Sequence, residues 1–160
     1  MLKRHKNARL LEILAVEDNP ADIRFLNEVF KDGRLANRLT AMRDGDSALR
    51  YLRGEREFAG AVKPDIVLLD LNLPGKNGWQ VLGEIRRDPL LSELPVIVLT
   101  TSSSEDDISR GYELRANAYL VKPPDMGQFI QAVLSIGTAG LGLVAAPRPK
   151  VGRAGRGRHA

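Results

Sequence analysis

The 160-residue chain contains no cysteine. That excludes disulfides, thiol nucleophiles and zinc–thiolate centres, and it suits a reducing cytoplasm. Long apolar runs are also missing. The segment "GTAGLGLVAAP" is too short and too rich in glycine to span a bilayer. The start, "MLKRHKNARLLEILAV", has the positive-then-apolar order of an export signal. However, Glu12 interrupts the run, Glu17-Asp18 ends it, and no small-residue cleavage site follows. Neither membrane nor export is expected. No recognition helix and no basic patch interleaved with aromatics is present, so specific DNA reading is not expected either. The net charge of +4 belongs to the termini. Nine of the 24 basic residues lie at 3–9 and 148–158, so the other 15 meet all 20 acids and residues 10–146 carry −5.

What is present is the composition of an ordinary globular protein, 43% apolar and 28% charged, in a chain long enough to bury a core. Four apolar runs are continuous rather than alternating: Leu10–Val16, Ile66–Leu69, Val96–Leu99 and Tyr119–Val121. Continuity is the mark of parallel strands covered on both faces. Leu39–Met42 is a weaker fifth. Helical patterns lie between and after them: Pro20–Phe30 capped by Asn19, Ser47–Arg53, Trp79–Arg87 capped by Asn77, Ser104–Leu114 with acids in its first turn, and Asp125–Ile136. A strand–helix alternation repeated five times predicts an α/β, flavodoxin-like, doubly wound five-stranded parallel sheet. Its expected order is 2-1-3-4-5, with helices on both faces. The domain is expected over 10–136, between a basic segment 1–9 and a Gly/Pro/Arg-rich tail 137–160 that reads as solvated.

Sheets of this kind collect chemistry beyond the carboxyl ends of their strands. There the sequence puts Glu17-Asp18, Asp70, Thr100-Thr101 and Lys122-Pro123. Each alone is commonplace, since an acidic pair after a strand usually serves a turn. Their recurrence at successive strand tips is what singles them out. Two carboxylates about 5 Å apart repel by roughly 3 kcal/mol at an effective dielectric near 20. One lysine cannot balance three acids, so either they protonate or a divalent cation joins them. Carboxylates, a carbonyl and water are hard ligands that favour Mg2+, and no histidine or cysteine nearby points to zinc. An ionised aspartate is also a nucleophile towards a phosphoryl group. The apolar strand "DIVLLD" then reads as an arm that delivers Asp70, and "LNLPGKNGW" as the turn that holds it.

These motifs resemble the receiver domain of two-component response regulators over about residues 10–136. The phrases "VEDNPADIRFLNEVF", "LPGKNGW", "VLTTSSSEDD" and "YLVKP" are similar to those of stand-alone regulators that partner bacterial phytochrome kinases. The resemblance implies a phosphoacceptor at Asp70 and Mg2+ held by Glu17, Asp18, Asp70 and the carbonyl of Asn72. It also implies a phosphate-responsive group of Thr100, Lys122 and Tyr119, with Lys122-Pro123 cis. Asn72 and Ser102 would tune dephosphorylation, and a serine at 102 implies slow loss of phosphate. Glu17 departs from the commoner aspartate, which leaves direct or water-mediated ligation open.

The implied protein is cytoplasmic, takes its phosphoryl group from a sensor histidine kinase and is not an enzyme in its own right. It signals through the surface of its fourth helix, fifth strand and fifth helix. Phe129, Ile130, Val133 and Leu134 exceed one core stripe, and the surplus reads as a homodimer contact on that surface. Trp79 reads as packing at a helix start. Two other readings stay open: an aspartate-nucleophile phosphatase and a receiver-fold module that binds without phosphorylation. The phosphatase family wants an acid two residues after the nucleophile, then Gly-Thr. Asn72, Leu73 and Pro74 stand there instead.

Overall fold

A computed structural model describes residues 10–31, 36–101, 104–122 and 124–138, with the side chains of Met126, Gly137 and Thr138 excepted. The expectations for both terminal segments, for Ser102 and for the Lys122-Pro123 bond lie outside these residues. Five strands and five helices alternate: β1 Leu11–Val16, α1 Pro20–Phe30, β2 Asn37–Met42, α2 Gly45–Arg53, β3 Ile66–Leu69, α3 Gly78–Arg87, β4 Val96–Thr100, α4 Glu105–Glu113, β5 Ala118–Val121 and α5 Met126–Thr138. All strand pairs are parallel and the order is β2-β1-β3-β4-β5, as the alternation requires.

Successive strand residues point to opposite faces, and the core divides accordingly. Leu14, Val16, Val67, Leu69 and Val98 face α2 and α3, meeting Leu49, Leu52, Leu82 and Ile85. Ile13, Ala15, Ile66, Leu68 and Ile97 face α1 and α5, meeting Leu26, Val29, Phe129 and Val133. The rings of Phe30 and Phe129 meet edge to face at 5.7 Å and join the two helices. This corrects one expectation. Phe129, Ile130, Val133 and Leu134 are all buried in the core of a single copy. Helix α5 packs against both the sheet and α1, so these four side chains belong to one wide core face.

Cap chemistry sets where the helices begin. Asn19 Oδ1 accepts from the amides of Ala21 (2.8 Å) and Asp22 (3.3 Å), and Pro20 occupies the first turn. Asn77 and Gln80 form a reciprocal capping box that starts α3. Helix α2 begins two residues before the expected Ser47. Asp44 is the cap, and its Oδ1 accepts from the Ser47 amide at 2.8 Å. Ser104 caps α4 through the Asp107 amide, 3.1 Å away.

Candidate functional site

The order reverses between β1 and β3, the switch point at which doubly wound sheets open a crevice. Val16 pairs with Leu69, and the Asp70 amide donates to the Val16 carbonyl at 3.1 Å. This register brings Glu17 and Asp70, the next residue of each strand, side by side. Leu69 also pairs with Val98, and Thr100 with Val121, so Thr100 and Lys122 end neighbouring strands on the same edge. The turn after Asp70 is held close to α3. Gly75 lies at φ +71°, a conformation glycine adopts without strain. Gly78 presses on the chain so tightly that a Cβ there would stand 2.5 Å from the Asp70 carbonyl oxygen.

Carboxylate oxygens of Glu17, Asp18 and Asp70 all lie within 4.8 Å of one another. Glu17 is 3% exposed and Asp70 6%. Burial pushes both carboxyls above their ordinary pKa values. For Glu17, the hydrogen bond from Lys122 opposes that rise and the charge of Asp70 adds to it. For Asp70, the charge of Lys122 and the amides of Asn72 and Leu71 oppose it. Lys122 Nζ donates to Glu17 Oε1 at 2.7 Å and to Asp22 Oδ2 at 2.8 Å, and it lies 3.7 Å from Asp70 Oδ1. Burial pushes this ammonium down, but the bonds to Asp22 and Glu17 and the charge of Asp70 outweigh it and raise its pKa. Glu17 Oε2 also accepts from the Asn19 amide at 3.1 Å. Arg43 donates to the Asp18 carbonyl at 3.2 Å.

One atom stands out. Asp70 Oδ1 is buried and accepts no hydrogen bond among the described residues. A buried carboxylate oxygen with no donor costs of the order of 1–3 kcal/mol or more, so such an atom calls for a functional explanation. A donor set of three oxygen-bearing acids around an unsatisfied, desolvated oxygen fits a hard divalent cation.

The expected residues sort as follows. Glu17, Asp18, Asp70 and Lys122 converge. Asn72 is exposed, two residues past Asp70, and Thr100 is fully buried at the end of β4. Tyr119 is half-buried on β5, packed on the face that carries α3 and against Gly111 of α4. Asp22 was missed. Its signal is indirect: a helix capped by the residue just after an acidic pair must hang its first-turn acids over the same edge.

An acid cluster and a lysine at the switch point of a five-stranded parallel sheet define a receiver-type site. Residues 13–134 match the response regulator receiver domain, and the chain belongs to this family of two-component signalling proteins. Among relatives, the response regulator Rcp1 of Synechocystis sp. is 42% identical over 135 residues, or 84% of this chain and 92% of Rcp1. The phosphorylated cyanobacterial phytochrome response regulator RcpA superposes with a TM-score of 0.71 at 45% identity, covering 80% of this chain and 91% of its own. The Mn(2+)-bound form of Rcp1 gives a TM-score of 0.71 at 41% identity, over 86% and 99%. No helix among the described residues is long and apolar enough to cross a membrane.

Proposed function

We propose that the chain is a phosphoacceptor of two-component signalling and that Asp70 carries the phosphoryl group. The observation that carries this reading is the unsatisfied, buried Oδ1 of Asp70 between a carboxylate pair and an ammonium. In the reaction, an Asp70 oxygen forms a bond to phosphorus as the phosphorus–nitrogen bond of a kinase phosphohistidine breaks. The released imidazole keeps the electron pair. Glu17, Asp18 and Asp70, with the Asn72 carbonyl, would hold Mg2+, which supplies positive charge to the carboxylates and the phosphoryl oxygens. That a similar regulator, Rcp1, has an Mn(2+)-bound form supports divalent-cation binding.

Lys122 then has a phosphoryl oxygen to neutralise as a compact point charge. The Thr100 hydroxyl turns towards another, and Tyr119 follows into the space released. That movement biases the surface of α4, β5 and α5. The exposed Tyr112 of α4 and Val121 of β5 give this surface its apolar contact points, for a downstream partner or a second copy. Ser102 and Asn72 set a slow loss of phosphate. The chain works in the cytoplasm, its upstream partner is a sensor histidine kinase, and the likeness to RcpA favours one coupled to a phytochrome.

Intact mass after incubation with acetyl phosphate tests the reading. With Mg2+, the wild-type chain is expected to gain one phosphoryl group, and to gain none when a chelator is present from the start. Asp70→Asn is expected to gain none. Equal labelling of wild type and Asp70→Asn would overturn the assignment.

A further inference from the structure

The site contains an acid that lies outside the three-carboxylate cluster. Asp22, in the first turn of α1, accepts from Lys122 Nζ at 2.8 Å, about as close as Glu17 at 2.7 Å. Asp70 Oδ1 stands 3.7 Å from the same nitrogen, beyond hydrogen-bonding distance. The ammonium is thus held on the α1 side of the site, and the oxygen it would otherwise satisfy is left with no donor.

The placement of Asp22 is built, not incidental. Its amide is fixed by the Asn19 side chain (3.3 Å) and the Asn19 carbonyl (3.1 Å), in the turn that directly follows the acidic pair. Its side chain is 36% exposed, against 4% for Glu17 and 7% for Asp70. A half-buried carboxylate at the rim can accept from the ammonium without the desolvation cost that full burial carries, so it competes for the lysine. A carboxylate oxygen that accepts from an ammonium is a weaker nucleophile and a weaker metal ligand, because the shared proton occupies its lone pair.

We propose that Asp22 is a positioning residue that draws Lys122 off Asp70, keeping Oδ1 open to a divalent cation and to phosphorus. This rests on the reading of Asp70 as phosphoacceptor only for its second consequence. The first, cation binding, is measurable without any phosphoryl donor. Asp22→Asn preserves size and one acceptor oxygen but surrenders the charge. Lys122 then settles on Glu17 and Asp70 and competes with the cation.

Two experiments test this. In calorimetric titration with Mg2+ alone, Asp22→Asn is expected to weaken binding about fivefold, and Asp22→Glu to restore it, in line with the modest worth of a partly exposed charge pair. In a Lys122→Met background, the same Asp22→Asn change is expected to have no effect on Mg2+ binding, because there is no ammonium left to release. With acetyl phosphate and saturating Mg2+, Asp22→Asn is expected to slow labelling of Asp70 several-fold, with the same rescue by glutamate. Unchanged Mg2+ affinity in Asp22→Asn would overturn the proposal. So would a loss of affinity that persists undiminished in Lys122→Met, since Asp22 would then act directly by charge. A wild type that binds Mg2+ with the expected cycle but never takes phosphate would sink the phosphoacceptor reading and leave the positioning role standing.

Discussion

At the amino-terminal edge of the sheet, Arg86 of α3 donates from Nη1 to the carbonyls of Leu94 (2.7 Å) and Ser92 (3.1 Å). Its Nε and Nη2 reach the carbonyl of Arg115 at 3.2 and 2.7 Å. Asp65 Oδ2 accepts from the Glu12 amide at 2.8 Å, and Asn117 Oδ1 from the Val96 amide at 2.9 Å. At the carboxyl edge of the same sheet, acids crowd together, and Asp70 Oδ1 accepts nothing among the described residues. Both edges hold polar groups against the ends of apolar strands. The first matches donors to acceptors and so locks loops in place. The second leaves attraction unspent, and that is what a site needs in order to bind something else. Conserving stability and keeping chemistry available call for opposite treatments of the same kinds of atoms.

The contrast breaks most severely at Gly78. A Cβ there would stand 2.5 Å from the Asp70 carbonyl oxygen and 2.6 Å from Leu71 Cα, both of them backbone. Gly78→Ala is expected to cost about 3 kcal/mol in urea unfolding, as overpacking does, and to weaken Mg2+ binding by displacing Asp70. Arg86→Met probes the other edge. It strips hydrogen bonds from three carbonyls in two separate loops and is expected to cost about 2 kcal/mol, with Mg2+ affinity unchanged by calorimetry. Equal damage to both measurements would mean that the two edges are not independent.

The smallest effect belongs to the charges on α3 that run between the edges. Glu84 accepts from Lys76 and from Arg53, the latter at 3.3 Å, and Lys76 chiefly holds its carboxyl below the ordinary value of 4.5. A depressed carboxyl stabilises the fold above its unfolded-state pKa, and that stability is lost as pH falls through the folded value. Lys76→Met is therefore expected to cost about 0.5 kcal/mol near neutrality, with the difference from wild type closing below pH 4.5 in unfolding titrations.

Most of this architecture is legible in the residues themselves. Continuous apolar runs give four strands because a two-faced core leaves no position for alternation. The edge strand β2 is only half-buried along most of its length, so its signal is weaker and its apolar run begins at Leu39, two residues after the strand itself starts at Asn37. The acids and the lysine announce themselves by recurring at strand tips. Asp22 and Arg86 do not. Each sits in a helical turn where its charge already suits the helix dipole, and each acts on atoms far along the chain. Lys122 is 100 residues from Asp22, and the Arg115 carbonyl is 29 from Arg86. The width of the α5 stripe misled for a related reason: a sequence shows how much of a helix is apolar, but not how many neighbours cover it.

The chain has a single tryptophan, and its location has a practical consequence. Trp79 lies at the start of α3 with the Arg110 guanidinium 5.2 Å over its ring. A Cβ built on Gly111 would stand 3.6 Å from the indole and 3.0 Å from the Tyr119 ring. Any sliding of α4 relative to α3 moves that cation over the indole and is expected to alter its emission. The molecule thus carries one intrinsic optical probe at the junction of these two helices, where a shift can be sought with no dye attached.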